Sequence, residues 1–246
     1  MKQPGGDASQ ASHAADADAF DAWWHRQGSW VEPPNQRRGG ESGVQIVTLE
    51  GGRRGYSKRQ VEHTYRSLRY PFGRPTALRE RDAYAALGAI GVATPKLVYC
   101  GARKRAGVWQ AILVTEALEG LVDIDQWYRT ASAVVGESSR HAMLDELARQ
   151  IARMHAGGWQ HGCLYAKHVF VRCDDAGAPQ VVLIDLEKCR RRRPQRASRR
   201  DVDQFRRHRG AMPEEDWQFF LVAYHRRFAE AGQQQNAAPA AGHGAA

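Results

Sequence analysis

The chain has 246 residues, 36 Lys+Arg against 27 Asp+Glu, a formal net charge of +9 and 42% apolar residues. That is enough for a hydrophobic core in one domain or two closely joined lobes. Mean hydropathy is −0.61, and the longest aliphatic runs, Ala111–Val114 and Val181–Ile184, stop at four residues, where a membrane-spanning helix needs about 20. The first twenty residues hold no apolar stretch of signal-peptide length and the four cysteines show no CxxC pairing, so a cytoplasmic chain with free thiols is expected.

Residues 1–19, mostly Ala, Asp, Ser and Gly, read as a disordered tail. Val44–Leu49 is a strand that ends at Gly51-Gly52, a pair suited to a hairpin turn, and Gly55–Val61 is the strand after it. Thr76, after Pro75, is placed to cap a helix that Gly88 would stop, and Glu80, Ala83, Tyr84 and Leu87 fall on one stripe of it. Leu97–Cys100 and Trp109–Thr115 supply two more strands. A helix over Ser139–His155 presents Met143 or Leu144, Leu147, Ile151 and Met154 as its apolar face, and Gly157-Gly158 ends it. A polar loop, a β-pair (His168–Arg172 and Gln180–Leu186), an arginine segment and an amphipathic helix near Pro213–Ala229 follow. Residues 232–246 read as a second disordered tail. The class is α+β, with a β-rich lobe over residues 20–117 that contains one helix and a mainly helical lobe over 118–231.

The charge is concentrated. Lys188–Arg209 carries eleven basic residues against Asp201 and Asp203, an excess equal to that of the whole chain. Such a cluster points to nucleic acid, a membrane surface or a phosphate-bearing substrate, or else to a solvated basic loop. Just before it, Asp185 ends the apolar run Val181-Val-Leu-Ile, where a carboxylate is costly unless it is paired, bound to a cation or turned outward. Upstream, His168 stands at the junction between the polar loop from His161 and the next strand.

These pieces align with one scheme, the catalytic core of the protein-kinase-like fold. The scheme needs a lysine on an upstream strand and a glutamate on the following helix, and Lys58 and Glu80 occupy those places. Arg38-Gly-Gly-Glu-Ser-Gly43 stands where a glycine-rich element belongs, without G-x-G-x-x-G spacing, and Val114-Thr-Glu116-Ala-Leu118 fits the hinge between lobes. More specifically, the chain resembles the lipopolysaccharide core kinase (Kdo/WaaP-type) family and, within it, the InaA-like branch. The resemblance spans roughly residues 30–230. It rests on His161-Gly-x-Leu-Tyr-x-x-His168-Val-Phe-Val, Leu183-Ile-Asp-Leu-Glu-Lys188 and Arg199-Arg-Asp201-x-x-x-Phe-Arg206, supported by Gly91-Val-Ala-Thr-Pro95 and Leu113-Val-Thr-Glu116.

The resemblance implies a two-lobed kinase-like fold, ATP and Mg²⁺, and phosphoryl transfer to an acidic sugar of the lipopolysaccharide core at the cytoplasmic face of the inner membrane. It assigns Lys58, with Gly40, Gly43 and Glu116, to ATP, and Glu80 to orienting Lys58. Asp185 and His168 take the metal, Cys163 and His161 join the catalytic residues, and Arg190, Arg191, Arg192 and Arg193 face the acidic acceptor or the anionic membrane that carries it. One position departs from the pattern: Cys163 stands where the catalytic Asp is expected. A positioned base contributes about 10²–10⁴-fold, and a thiol with a pKa of about 8.5 is a weaker acceptor at neutral pH unless Lys167, His161 or the arginines lower it. The chain is therefore a slow or unusual kinase, or a pseudokinase that binds nucleotide or a partner without turnover.

Two other classes compete. His155, His161, Cys163, His168 and Cys173 form a cluster that could serve metal or thiol chemistry, but their spacings fit no zinc-site pattern well. The arginine run suits nucleic acid, but only Phe205 and His208 lie within it to stack on bases.

Overall fold

In the computed structural model, which describes residues 16, 18–37, 39–173 and 178–237, the first half of the chain builds an antiparallel sheet in the spatial order β1-β2-β3-β7-β6. Its strands are β1 (Ser29–Arg37), β2 (Gly40–Thr48), β3 (Arg54–Val61), β6 (Leu97–Arg105) and β7 (Val108–Glu116). In β2 burial alternates from Gly43 through Gln45 to Val47, the period-2 pattern of a strand with one face covered. In β7, flanked on both sides, Ala111–Thr115 is buried without a break, which is why it reads as a continuous apolar run.

A helix over residues 18–25 (α1) covers one face. Its Phe20 joins Val47, Leu49, Ile112 and Val114 in a buried cluster, with Trp23, Trp24 and Tyr99 packed against it. This helix starts inside the stretch read from sequence as a tail. Its apolar residues crowd into one turn and a half, too short a window for periodicity to register. Strand β1 and a separate hairpin, β4 (Thr64–Ser67) with β5 (Tyr70–Pro75), were also not anticipated. Helix α2 (Thr76–Ala89) runs through Gly88 rather than stopping there.

The chain divides into two compact units, one of residues up to Arg81 with Lys96–Ala117 and the other of Asp82–Pro95 with the residues from Leu118 on. Helix α2 contributes its first turns to one unit and its last turns to the other.

The second unit contains α3 (Ile124–Thr130), α4 (Glu137–Ala156), α5 (Pro194–Arg207) and α6 (Glu214–Ala237), a three-stranded sheet with β10 (Val169–Arg172) between β11 (Gln180–Leu183) and β8 (Val122–Asp123), and the short pair β9 (Trp159–Gln160) with β12 (Arg190–Arg191). The expected face of α4 is buried in full: Met143, Leu144, Leu147, Ile151 and Met154 are all solvent-inaccessible. Trp217, Phe220 and Tyr224 of α6 and Phe205 of α5 complete this core. Helix α6 extends to Ala237, so part of the expected C-terminal tail is helical. The expected β-pair is β10 (Val169–Arg172) with β11 (Gln180–Leu183), Val169 opposite Leu183.

Helix α5 occupies the arginine segment, where no helix was expected. It buries Ala197, Asp201 and Phe205 at i, i+4 and i+8 and exposes Arg196, Arg199, Arg200, Arg206 and Arg207. With a carboxylate at its centre, that stripe carries no hydrophobic signature.

Candidate active site

In the first unit, strand β3 aims two side chains of one face at α2. Residues two apart on a strand are about 6.6 Å apart, close to the roughly 6 Å rise between helix residues four apart, so a two-point match is possible. Lys58 Nζ lies 3.0 Å from Glu80 Oε2. Two residues on, the Gln60 side-chain carbonyl accepts from Thr76 Oγ1 at 2.9 Å and from the Ala77 N–H at 3.1 Å. Two orphan donors at the start of α2 are thus satisfied from outside the helix, the Ala77 N–H by Gln60 and the Thr76 N–H by the His63 carbonyl at 3.0 Å; Thr76, expected as the cap, is instead the first helical residue, with its hydroxyl donating to Gln60. The ion pair is nearly sealed from water, with Glu80 keeping 3% and Lys58 17% of side-chain exposure.

The remaining candidates of this unit do other work. Arg38 lies outside the described residues, and Gly40 and Gly43 lie within β2, opposite Arg37 and Arg59. A Cβ on Gly40 would come within 2.7 Å of the Glu62 carbonyl oxygen, and one on Gly43 within 2.8 Å of the Trp30 ring. Close packing within the unit accounts for a glycine at both positions. The Glu116 carboxylate is paired with Arg53 and, at 2.9 Å, with Lys96, and the Lys96 hydrogen bond leads the effects that lower its pKa. Its backbone N–H donates to the Lys96 carbonyl.

In the second unit the loop from His161 to Ala166 is held by α5. Asp201, fully buried, accepts from the backbone N–H groups of His161 at 2.6 Å and Gly162 at 3.0 Å, and it contacts the His155 ring at 3.1 Å. Burial pushes its carboxyl up, but the His155 hydrogen bond and the neighbouring imidazoles prevail and hold it below the usual range. One turn along, the Gln204 side-chain oxygen accepts from Leu164 N–H at 3.1 Å, and the His208 carbonyl accepts from Ala166 N–H at 2.9 Å. Gly162 sits at φ +80° with the Lys188 backbone oxygen 3.0 Å from where a Cβ would be, so only glycine fits there.

Within the loop both histidine tautomers follow from their partners. His161 Nδ1 accepts from the Cys163 N–H at 3.3 Å and its Nε2–H donates to the Ile184 carbonyl at 3.0 Å. Burial pushes its pKa down to about 4. A neutral imidazole with both nitrogens engaged ties the loop to Ile184, the residue after β11. His168 donates Nδ1–H to the Cys163 carbonyl at 2.7 Å, which turns Nε2 toward Asp185 Oδ2 at 3.4 Å. Asp185 adopts a left-handed backbone, φ 60° and ψ 59°, a conformation that costs a non-glycine residue energy and concentrates at functional positions.

The Cys163 side chain is 3% exposed as part of its residue. Burial raises its pKa, and this outweighs a hydrogen bond with Lys188. That same bond raises the pKa of Lys188. Of the two states left open for this thiol, the weaker acceptor or one lowered by Lys167, His161 or the arginines, burial favours the first, a protonated thiol whose cationic neighbour is Lys188.

Among the described residues no group of three or more His, Cys, Asp or Glu is placed to hold a metal, His155, His161, Cys163, His168 and Cys173 included. Asp185 with His168 still suits an ion that takes one or two protein ligands and completes its shell with substrate phosphates and water. His168 donates its other ring N–H to a backbone carbonyl, the arrangement that orients a metal-ligating imidazole. Of the four candidate acceptor arginines, Arg190 and Arg191 form β12 against β9 (Trp159–Gln160). Arg191 stacks 5.0 Å over Trp159 and donates to the Gly157 carbonyl at 2.7 Å; Arg192 and Arg193 are exposed.

A family model described as the lipopolysaccharide kinase (Kdo/WaaP) family matches residues 21–224. The chain belongs to this family. Protein InaA of Escherichia coli (strain K12) is 40% identical over 214 residues, covering 86% of this chain and 98% of that protein. A solved structure, WaaP in complex with acyl carrier protein, superposes with a TM-score of 0.65 at 21% identity, over 96% of this chain and 94% of that one. That likeness carries the fold, a mixed α/β kinase-like fold of two lobes. Within this lipopolysaccharide kinase framework the structure brings Lys58 to Glu80, and separately brings Cys163, His161, His168 and Asp185 together. Two residues had no role from sequence, although both lay inside the motifs: Asp201, which holds the loop, and Lys188, which meets the thiol. Their signal was a carboxylate on the apolar stripe of α5 and a lysine three residues after Asp185.

Proposed function

We propose that this member of the lipopolysaccharide kinase family transfers phosphate from ATP to a sugar hydroxyl of the lipopolysaccharide core or a related acidic glycolipid, working at the cytoplasmic face of the membrane that carries it. The observation that carries this reading is the Lys58–Glu80 ion pair, closed at 3.0 Å and almost sealed from water. A lysine held this way presents a fixed positive charge to nucleotide phosphates, and phosphoryl transfer depends mainly on such alignment and neutralisation. Asp185 and His168 would hold Mg²⁺, which when bound neutralises phosphate charge. Arg192 and Arg193, with Arg190 and Arg191 beside them, offer planar donors suited to phosphate or carboxylate groups of the acceptor.

Cys163 orients the loop through its backbone N–H and carbonyl, and in sequence it takes the position where the family pattern expects the catalytic Asp. A buried thiol with a raised pKa is a poor base, and this observation supports the second reading, a pseudokinase that binds nucleotide or partner without turnover.

The test is mass analysis of truncated-core lipopolysaccharide incubated with the protein, ATP and Mg²⁺. Added phosphate with the native chain supports the kinase. Added phosphate only with Cys163→Asp, which restores a base worth about 10²–10⁴-fold, supports the pseudokinase. So does a thermal shift with ATP-Mg²⁺ that Asp185→Ala abolishes, with no phosphate from either chain. The absence of any nucleotide effect overturns the kinase and leaves only a pseudokinase that binds a partner.

A further inference from the structure

Among the described residues, the two most exposed large apolar side chains belong to one hairpin: Leu68 at 104% and Phe72 at 96% of full exposure. Leu68 sits in the turn between β4 and β5. On β5 three residues, Pro71-Phe72-Gly73, stand opposite the single residue Arg66, because the register jumps from Tyr65↔Arg74 to Ser67↔Tyr70. The extra residues bulge, and Phe72 is carried outward with them.

The stem beneath is rigid. Tyr65 and Tyr70 meet edge to face at 6.1 Å, Arg74 lies 4.9 Å over Tyr70 and donates to the Tyr65 hydroxyl at 3.2 Å, and Arg79 lies 4.3 Å over Tyr65. At its base the Thr76 N–H donates to the His63 carbonyl at 3.0 Å. Arg66 and Arg69 flank the tip and are exposed. From His63 to Arg79 the chain has four arginines and no Asp or Glu.

We infer that the β4–β5 hairpin is a membrane-docking device that sets Leu68 and Phe72 into the interface of an anionic bilayer, with Arg66 and Arg69 on its acidic headgroups. The residues are graded along the hairpin as a bilayer surface is graded in depth: apolar side chains outermost, cations beside them, and tyrosines, which favour the membrane–water interface, behind. Two apolar side chains standing free suit a fluid partner that closes around them, and the uniformly positive flank suits anionic lipid. The inference goes beyond the proposed phosphoryl transfer and does not depend on it.

Co-sedimentation of the full chain with vesicles tests it, comparing pure phosphatidylcholine with an equal mixture of phosphatidylcholine and phosphatidylglycerol. Binding is expected to the anionic vesicles, weakening as salt is raised. Leu68→Ser/Phe72→Ser should reduce it at least about tenfold, and Arg66→Gln/Arg69→Gln by roughly fivefold per arginine removed. All four side chains are exposed, so an unchanged melting temperature verifies that each variant is folded. Phosphorylation of a soluble, lipid-free core oligosaccharide should be unaffected, which separates failure here from failure of the proposed reaction.

Unchanged vesicle binding by Leu68→Ser/Phe72→Ser would mean that surface charge alone acts, and the inference falls. It falls equally if neither vesicle binds. Saturable binding to acyl carrier protein that is lost in the same variant, without vesicle binding, would reassign the hairpin to an acidic protein.

Discussion

Lys58 and Glu80 meet as a pair of charges carried on a strand and a helix, whereas Cys163 is placed by a loop whose backbone N–H groups converge on one buried carboxylate, Asp201. In the first case the stabilisation is a balance between attraction and desolvation, so loss of one partner leaves a charge stranded and loss of both costs little. In the second no partner substitution can compensate, because the donors are main-chain groups that need an acceptor at that point. The difference explains how position 163 could carry cysteine where the family pattern expects Asp. Its N–H and carbonyl hold the loop, and its side chain adds only one hydrogen bond, shared with Lys188.

Asp201→Ala should show the largest effect. It strands the His161 and Gly162 N–H groups and one side of His155, and a destabilisation of about 3–5 kcal/mol is expected in urea titration. Asp201→Asn, which keeps one acceptor oxygen, should lose less. If the alanine variant lost under about 1 kcal/mol, the typical value of an ordinary hydrogen bond, the loop would be held by something other than Asp201.

The His161 ring gives the next effect, through pH. Its pKa is about 4 in the folded protein against 6.5 for a free imidazole. Between those values the unfolded chain takes up a proton that the native state refuses. Stability from this residue is therefore full above 6.5 and falls as pH is lowered toward 4, by about 3 kcal/mol in all. Asp201, with its carboxyl lowered, has the same sign but acts further down, losing its contribution as pH falls below the ordinary carboxylate range. Urea midpoints measured across this window should slope in the native chain and flatten in His161→Gln; parallel slopes in the two would show that the ring is not the source.

On the side of the charge pair, Lys58→Met should cost about 2 kcal/mol, below the usual figure for a broken buried pair because the lysine keeps 17% of its side-chain exposure. Lys58→Met/Glu80→Leu should recover most of that loss while still failing to bind nucleotide. A double variant as unstable as the single one would remove the contrast between the two halves.

What sequence made legible follows the same line. Lys58, Glu80, His168 and Asp185 could be placed because each stands at a fixed offset in a strand, a helix or a loop–strand junction, and the apolar face of α4 could be placed because its period is uninterrupted. Helix α5 escaped because Asp201 occupies the middle of its buried stripe, a position whose stability comes from hydrogen bonds to residues 40 and 39 positions earlier. The state of Cys163 stayed open because burial is a tertiary property: from sequence the basic neighbours could have lowered the thiol or left it a weak acceptor, and in the fold desolvation outweighs Lys188. Strand β1 contains Pro33-Pro34, and the β4–β5 hairpin contains Pro71, Gly73 and Pro75, residues that demote a strand reading.

The smallest expected effect lies at Gln60, which joins the two styles of holding. Its side-chain carbonyl takes the Ala77 N–H and the Thr76 hydroxyl of α2, while its buried Nε2 has no hydrogen-bond partner among the described residues. Gln60→Leu removes a helix cap, a loss of typically about 1 kcal/mol, but it also removes an unsatisfied donor, which offsets part of that loss. The net destabilisation should be below about 1 kcal/mol, a fall of roughly 2–4 °C or less in melting temperature for a chain of this size. Because Gln60 and Lys58 share a face of β3, the same substitution should loosen the seat of Glu80 and weaken nucleotide binding more than it weakens the fold. Equal losses in melting temperature and nucleotide affinity, converted to the same units, would show that the cap serves the fold alone and that Lys58 and Glu80 need no help from the sheet to meet.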